Sequence, residues 1–536
     1  MGSTSQTLSS ERLHPRQASS HPPVIPLSII DSSVVNFACA AGLWMYTSSP
    51  DIDLLRESLI KTLERGYSQW CGQLRFAPYS EHTSVQYHTH RYGRVILELG
   101  KDDTKNPGIA FVVVQSSSTL DKHSSGPKEL GMKVWDAGYA ASSSGLLPND
   151  PLLALHNLVD YKGLPAVVVQ VTQFACGGMV IGVKMAHCLG DAQTLVTFVK
   201  DWANISRSAS PLPDPPLFAP GKIDDCASGL IDAHPPNAEL IDKARKLPIS
   251  RNDWWAPPSS GQVPEWGATL SSIPKTLQHA NLEPGTPMAW DELDFTVPVN
   301  HYCIHFTADD IDRIWDASTL SAQGVRISKF DALQAFLWTL ILRARKSHFV
   351  ESGDRSAILS VTLGARERTD PPLPSRFLGS PILMARVETD LDPDGSSVSD
   401  IGALAAAIRR TVTLFDTEAI GALLHDMAHE ICSYRIWGAF LGRRNTIGTS
   451  WLRLGAYDVD FGTGAPIVVD AVMPSMDGCI QVMDAAPSNP RKDGMRWYED
   501  GIVASLHLRE DVMKNLLQDS LLVVGILQGG DLIHAL

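Results

Sequence analysis

The stretch VIGVKMAHCLGDAQTLVTFV, residues 180–199, decides the reading of this chain. An apolar, β-branched run ends at Met185, and His187 and Asp191 follow four residues apart. Ala192, Leu195, Val196, Val199 and Trp202 then recur on one face at helical spacing. Asp191 stands immediately before them, where an N-cap belongs. Upstream, AVVVQVTQF and MVIGVKM flank ACGG, which predicts a hairpin whose second strand ends at His187. The motif therefore sits on a strand–loop–helix junction.

An imidazole with an ordinary pKa of about 6.5 is suited to take a proton from an alcohol or amine attacking a carbonyl. Asp191 can orient the ring, or turn back onto the helix amides or an arginine, and the second, structural role is preferred. Taken alone, the spacing fits a packed histidine followed by a capping aspartate better than it fits a base. The rest of the chain has to supply the argument.

Outward from the motif, DIDLLRESLIKTLER carries Leu55, Leu59 and Leu63 in a helix-period stripe. From 208 to 300 the pattern breaks into SPLPDPPLFAP, HPP, WWAPPSS and LEPGTP, with 15 of the 35 prolines in 93 residues. This reads as a crossover between domains. Beyond it, TADDIDRIWDAS predicts a helix capped by Thr307, and Ser328 with Asp331 opens another over SKFDALQAFLWTLILRAR. SAILSVTL, IGALAAAIRRTVTLF, APIVVDAV, GCIQVMDA and GIVASLHL continue an alternation of strands and helices. The expected organisation is a flexible leader over 1–20, an N-terminal domain over 21–207, the crossover over 208–300 and a C-terminal domain over 301–536. Both domains read as α/β.

With 44% hydrophobic and 19% charged residues, the composition is that of a globular protein. A net charge of -14 argues against a nucleic-acid partner, which needs a broad basic face. No apolar run reaches the roughly 18 residues of a membrane span. The start lacks a secretory h-region and a myristoylation motif, so an intracellular, reducing, cytoplasmic setting is expected. The eight cysteines contain no C-x-x-C pair, which points to buried thiols. His88 and His90 alternate in YHTHRYG, as on one strand face, without a third ligand at recognisable spacing, so no metal is expected.

FACGGMVIGVKMAHCLGDAQTL, VTLGARERTDPPLPSRFLGSP and GTSWLRLGAYDVDFGTGAP occur in an order that resembles the BAHD acyltransferases, in particular their fungal trichothecene 3-O-acetyltransferase-like branch. PLSIIDSSV and ISKFDALQAFLW extend the likeness, so that it runs from about 25 to 520 apart from the crossover. The resemblance implies two chloramphenicol-acetyltransferase-like domains with mixed sheets flanked by helices, and an active-site tunnel at their interface. It implies transfer from an acyl-CoA co-substrate, acetyl-CoA in particular, to a hydroxyl of a fungal-type secondary metabolite by a monomeric enzyme. His187 matches the general base and Asp191 the aspartate that pairs with an arginine, here Arg366. Trp451 matches an indole donor to the oxyanion, a role weighed evenly against core packing, and Thr449 a hydroxyl near the acceptor. Asp460, Gly462 and Gly464 of DFGTG match a loop-shaping element. Ala192 stands where the family has glycine, and Thr463 where it has tryptophan, which puts loop geometry in question.

Arg326, Ser328 and Lys329 form a candidate cradle for the coenzyme A phosphates, because a helix N-terminus with adjacent cations favours anions. Trp254, Trp255, Trp266 and Trp290 could line the mouth for an apolar acceptor, or could simply pin the crossover. Cys188 as a nucleophile is disfavoured, since neighbours on an extended strand point to opposite faces. A serine hydrolase lacks its G-x-S-x-G elbow. Two alternatives keep the fold: condensation or cyclisation by His187 without an acyl donor, and a noncatalytic scaffold.

Overall fold

The computed structural model describes residues 5–17, 22–78, 87–100, 105–123, 126, 131–138, 145–148, 152–155, 161–258, 263–268 (Trp266 by its backbone only), 270–278, 282, 285–392, 400–487, 495–530 and 532. Local sequence fixes the helices. Leu55, Leu59 and Leu63 are fully buried along and just beyond the helix Ile52–Thr62, whose first amides are capped by the Asp51 carboxylate. Thr307 with Asp310, and Ser328 with Asp331, close capping boxes that start the helices Ala308–Leu320 and Lys329–Ala344. The second of these is apolar nearly all round and runs through the C-terminal core.

Two mixed sheets carry the architecture. The six-stranded sheet runs Ser5–Leu13, Ile109–Ser116, Val167–Phe174, Met179–Met185, Ala40–Tyr46 and Val468–Ala471. The seven-stranded sheet runs Ile382–Asp390, Ser356–Gly364, Asn445–Ser450, Cys479–Asp484, Ile502–Arg509, Val299–Phe306 and Val134–Asp136. Each half thus lends the other its edge strand, and the division at 21–207 and 301–536 does not follow the sheets. Part of the expected flexible leader, Ser5–Leu13, is itself a strand, because its backbone completes the edge left open by Ile109–Ser116.

Alternation along the strands gives the larger sheet two unlike faces. Ile304, Phe306, Ile480, Val482, Ala504, Leu506, Leu359 and Val361 point to one side and pack in a single core with the helices Ala308–Leu320, Lys329–Ala344 and Ile401–Thr413. The opposite face presents His301, Ser505, Gln481, Thr449 and Met483, and Met483 and Trp451 enter the core of the N-terminal half. This mixed face is the interface between the halves. The parallel strands Ser356–Gly364, Asn445–Ser450 and Cys479–Asp484 all end at one edge of it, the place where open α/β sheets present ligand sites.

At the other end of that face, His301 and His507 stack with ring centroids 4.0 Å apart, both buried, and His301 Nε2 meets Ser505 Oγ at 2.7 Å. Burial, with His301 beside it, lowers His507 to about 3. An unfolded histidine titrates near about 6.5, so between those values the unfolded chain binds more protons and stability falls as pH drops. Near pH 5 this histidine should cost about 2 kcal/mol relative to pH 8. Denaturant unfolding of the parent and of His507→Gln at both values checks it; an equal loss in the two proteins contradicts the assignment.

The crossover is less open than its composition suggests. It carries the helices Gly221–Asp224 and Ala238–Arg245, the latter packed on Thr417–His429. Trp254, Trp255 and Trp290 are buried in a core of their own with Trp437 and Phe440, Trp254 stacking on Trp437 at 5.6 Å. They pin the crossover rather than line an open mouth, and the side chain of Trp266 lies outside the described residues. His88–His90 is a single turn, not a strand, with the His88 ring between Asp224 and Asp232. No helix among the described residues is long and apolar enough to cross a membrane.

Candidate active site

Hairpin strands Val167–Phe174 and Met179–Met185 pair as their β-branched runs predict, around Gly177 at φ +83°. The second strand stops at Met185, and His187 opens a short 3-10 turn to Leu189 instead of ending the strand. The turn still separates the two neighbours: Cys188 is buried, with its thiol pushed far up by burial, which removes it as a nucleophile. The His187 ring is half-buried. Its Nδ1 lies 2.9 Å from Ser380 Oγ, the ring of Phe37 meets it edge-on at 5.5 Å, and Nε2 has no partner among the described residues. Burial lowers its pKa, opposed by the Asp191 charge and by the residue's own main chain. At neutral pH the imidazole is therefore neutral and able to accept a proton.

Asp191 is the N-cap of the helix Ala192–Ser206, its carboxylate accepting from Thr194 N–H at 3.0 Å. Ala192 is the first helical residue, in right-handed geometry, so alanine there carries no backbone penalty. Arg366, just beyond the end of Ser356–Gly364, grips Asp191 with two nitrogens at 2.5 and 3.0 Å. Burial alone would raise the Asp191 carboxyl; the guanidinium holds it below its usual range. The pair also organises a third segment. Arg366 donates to Phe377 O and Gly379 O, and Asp191 N–H donates to Gly379 O at 3.1 Å. Asp191 is thus tied through Arg366 and its own N–H to residues 377–380, which end in Ser380 beside the His187 ring.

Trp451 and Thr449 come from the C-terminal end of Asn445–Ser450. The Trp451 ring crosses the interface and packs on the opposite sheet; a Cβ at Gly42 would stand 2.9 Å from the Trp44 ring and 3.2 Å from that of Trp451, so glycine leaves room for both. Core packing and an indole N–H without a partner among the described residues coexist in this one side chain. Thr449 is half-buried on the interface side, paired in register with Gln481. Asp460 Oδ1 accepts from the amides of Gly462 and Gly464 at 2.7 and 2.9 Å, and both glycines have positive φ that other residues resist. Asp460 also pairs with Arg207 at the far end of the Ala192–Ser206 helix. Fifteen residues of helix put this loop about 22 Å from His187, so Thr463 in place of tryptophan alters a remote turn.

Of the anion cradle, Ser328 spends its hydroxyl on the capping box, and Lys329 pairs with Asp312 while sitting over Trp315 at 4.5 Å. Arg326 is exposed and makes no ion pair among the described residues. A cleft of about 80 Å³ is lined in part by Phe37, whose ring meets His187, while His187 itself is not in its wall. Ile249, Met384, Leu423, Met427 and Ile436 contribute to its apolar wall, and Arg251, paired with Glu430 and Asp426, is among its polar lining.

Sequence reading missed Ser380, Asp31 and Phe37. Ser380 N–H donates to Asp31 Oδ1 at 2.6 Å, joining a residue of the early PLSIIDSSV stretch to the loop beside His187. The signal for Asp31 was present, since Ser28 and Asp31 are three apart and form a capping box. Ser380 and Phe37 carried none, because their roles depend on contacts remote in sequence.

The Transferase family model matches residues 145–239 and 291–520. The chain is 28% identical over 490 residues to acyltransferase AFT15-1 of Alternaria alternata, spanning 88% of this chain and 87% of that one. It is 24% identical over 541 residues to acyltransferase abl6 of Leptosphaeria maculans, spanning 97% and 98%. Among solved structures, vinorine synthase superposes with a TM-score of 0.58 at 16% identity, covering 96% of each chain. TRI101 of F. sporotrichioides, complexed with coenzyme A and T-2, superposes with 0.57 at 17%, covering 92% of this chain and 97% of that one. The two structures share the fold.

Proposed function

The chain belongs to the Transferase family and is an acyl-CoA-dependent acyltransferase of the BAHD type, and from that premise we propose that it acylates a hydroxyl of a largely apolar secondary metabolite, with acetyl-CoA as the donor. The observation that carries this reading is the His187 ring: neutral, half-buried between the two halves, held at Nδ1 and unpartnered at Nε2 among the described residues. Nε2 takes the proton of the acceptor hydroxyl as its oxygen attacks the thioester carbonyl. The tetrahedral oxyanion takes a hydrogen bond from the Trp451 indole N–H, with Thr449 O–H beside the acceptor. Donors preset at such an oxyanion are each worth about 3–4 kcal/mol. Collapse breaks the carbon–sulfur bond, and the leaving thiolate recovers the proton from His187, so no acyl-enzyme forms.

The cavity beside Phe37 is the proposed acceptor pocket, its aliphatic and thioether wall suited to an apolar body. Arg326 is the proposed first contact for the coenzyme A phosphates at the start of Lys329–Ala344; Lys329 joins only by exchanging Asp312, and Ser328 acts through its cap. The fungal acyltransferase relatives support the reaction class, and the coenzyme A in the TRI101 complex supports the donor.

Filling the pocket separates the two substrates. Met427→Trp should cut kcat/KM for the acceptor by about 10- to 100-fold and leave KM for the acyl-CoA unchanged; steady-state kinetics with each substrate varied checks this. The reaction itself is tested by incubating the protein with isotope-labelled acyl-CoA thioesters and an extract of its source, then weighing the products. A product heavier by the labelled acyl group, with one free thiol released, is the expected result. A product formed by loss of water alone, without thiol release, overturns it in favour of cyclisation.

A further inference from the structure

We infer that His429 is a proton-dependent clasp: its doubly protonated ring clips the crossover onto the helix Thr417–His429, and loss of the second proton loosens it. Two histidines one turn apart on that helix reach the crossover. His425 is fully buried; its Nδ1 meets Ser228 O at 2.8 Å and its Nε2 accepts from Asn237 N–H at 3.1 Å. A carbonyl only accepts and an amide N–H only donates, so these contacts fix a neutral ring protonated on Nδ1. The His429 ring lies against it, with centroids 4.5 Å apart. Its Nδ1 meets His425 O at 2.7 Å and its Nε2 meets Ala233 O at 3.1 Å. Both partners are acceptors, and only the imidazolium donates from both nitrogens. A neutral ring would turn one lone pair onto a carbonyl oxygen. Turning the ring over would set carbon at 2.7 Å from an oxygen, well inside the reach of a C–H···O contact.

The surroundings suit one neutral and one charged ring. His429 is the last residue of its helix, where the unpaired carbonyls favour a cation. Burial lowers the pKa of His425, with the His429 charge beside it, so His425 stays the neutral partner. The carboxylates nearby are engaged elsewhere: Asp426 by Arg245 and Arg251, Glu430 by Arg251 and Arg435. From the crossover, Asp232 pairs with His88 and the exposed His234 follows Ala233. Arg91 donates to Ile231 O at 3.2 Å, and on the helix Ala238–Arg245, Lys243 pairs with Glu418. The two carbonyls are thus the hydrogen-bond partners of the His429 ring among the described residues. The clip is complete while both protons are held and weakens as pH rises, the reverse of the trend at His507. Leu423, Met427 and Glu430 line the cleft beside Phe37, so the clip bears on the wall of the proposed acceptor pocket. That last effect rests on the reading of the cleft as the acceptor site; the clasp itself does not.

The test uses the full-length chain without substrate. Hydrogen exchange over residues 226–237, read by mass spectrometry at pH 6 and pH 9 and corrected for intrinsic rates, reports the clip. Loss of one charge-assisted hydrogen bond should cut protection of this segment by about 10-fold between the two values. His429→Arg keeps charge and donors throughout and should stay protected at pH 9. His429→Gln should already show at pH 6 the low protection that the parent has at pH 9. The ring nitrogens of His429, labelled with 15N and assigned by their loss in His429→Gln, should both be protonated in the parent at pH 6. A bare nitrogen at pH 6, equal protection of the parent at both values, or the parental pH dependence retained in His429→Gln overturns the inference. In turnover, KM for the acceptor should rise with pH in the parent and not in His429→Arg, with KM for the acyl-CoA unchanged. If exchange and ring nitrogens respond as stated while the acceptor KM does not, the clasp stands and the cleft falls as the acceptor pocket.

Discussion

His187→Ala loses about three orders of magnitude in kcat, within the 10²- to 10⁴-fold range that a positioned general base contributes. The loss falls on turnover, not on folding, because the ring is half-buried and its side-chain hydrogen bond among the described residues is to Ser380. The pH profile identifies the group. The active form is the neutral imidazole, and burial has lowered its pKa below the ordinary value of about 6.5. Activity is therefore level through neutrality and falls only as pH drops through that lowered pKa. The alanine variant retains a small residual rate without this acid limb. Initial rates from acid to neutral pH for both proteins check the prediction, and a variant with parental turnover would falsify the assignment of the base.

Breaking the pair behind the motif has the largest expected effect on stability. Asp191 and Arg366 are both buried, and the guanidinium bonds the carboxylate, Thr194 Oγ1 and two main-chain carbonyls. Arg366→Met leaves the Asp191 charge with little more than its helix-cap bonds, a loss of about 3–5 kcal/mol. Replacing both partners is milder, since no buried charge is stranded. Asp191→Ala with Arg366→Met should thus regain much of the stability lost in Arg366→Met. It should not regain kcat, because the 377–380 loop has lost the Arg366 guanidinium that ties Phe377 O to Gly379 O, and only the Thr194 hydroxyl and the main-chain N–H of residue 191 still hold Gly379. Denaturant unfolding and turnover of the two single variants and the double variant form the cycle. A double variant with restored turnover would show that the pair serves folding alone.

How far the sequence could be read follows from the range of each interaction. Leu55, Leu59 and Leu63, the Thr307 and Ser328 caps, and the hairpin around ACGG depend on residues within a few positions of one another, and their elements stand where the periodicity puts them. The end of the hairpin was off by two residues, because a 3-10 turn and a strand end look alike in a run such as KMAHCL. Strand exchange was invisible: Val134–Asp136 and Val468–Ala471 are short apolar segments that nothing local assigns to the opposite half. The leader failed for the same reason, since polar Ser5–Leu13 becomes a strand by edge pairing alone. In the site, His187, Asp191 and Arg366 lie in stretches whose order carried the resemblance. Lys329 was readable as a cation but not as one already engaged, because Asp312, Trp315 and Tyr498 reach it only through packing.

The account stands on the His187 ring edge meeting a substrate from each side of the interface. A crystal structure of the protein with a thioether analogue of the acyl-CoA and an acceptor alcohol from the mass assay measures this directly. The predicted result places the acceptor oxygen about 2.6–3.2 Å from Nε2, with the alcohol in the cavity beside Phe37 and the acyl carbon between that oxygen and Trp451. Nε2 turned onto a protein group, with both ligands bound away from the ring, would contradict it.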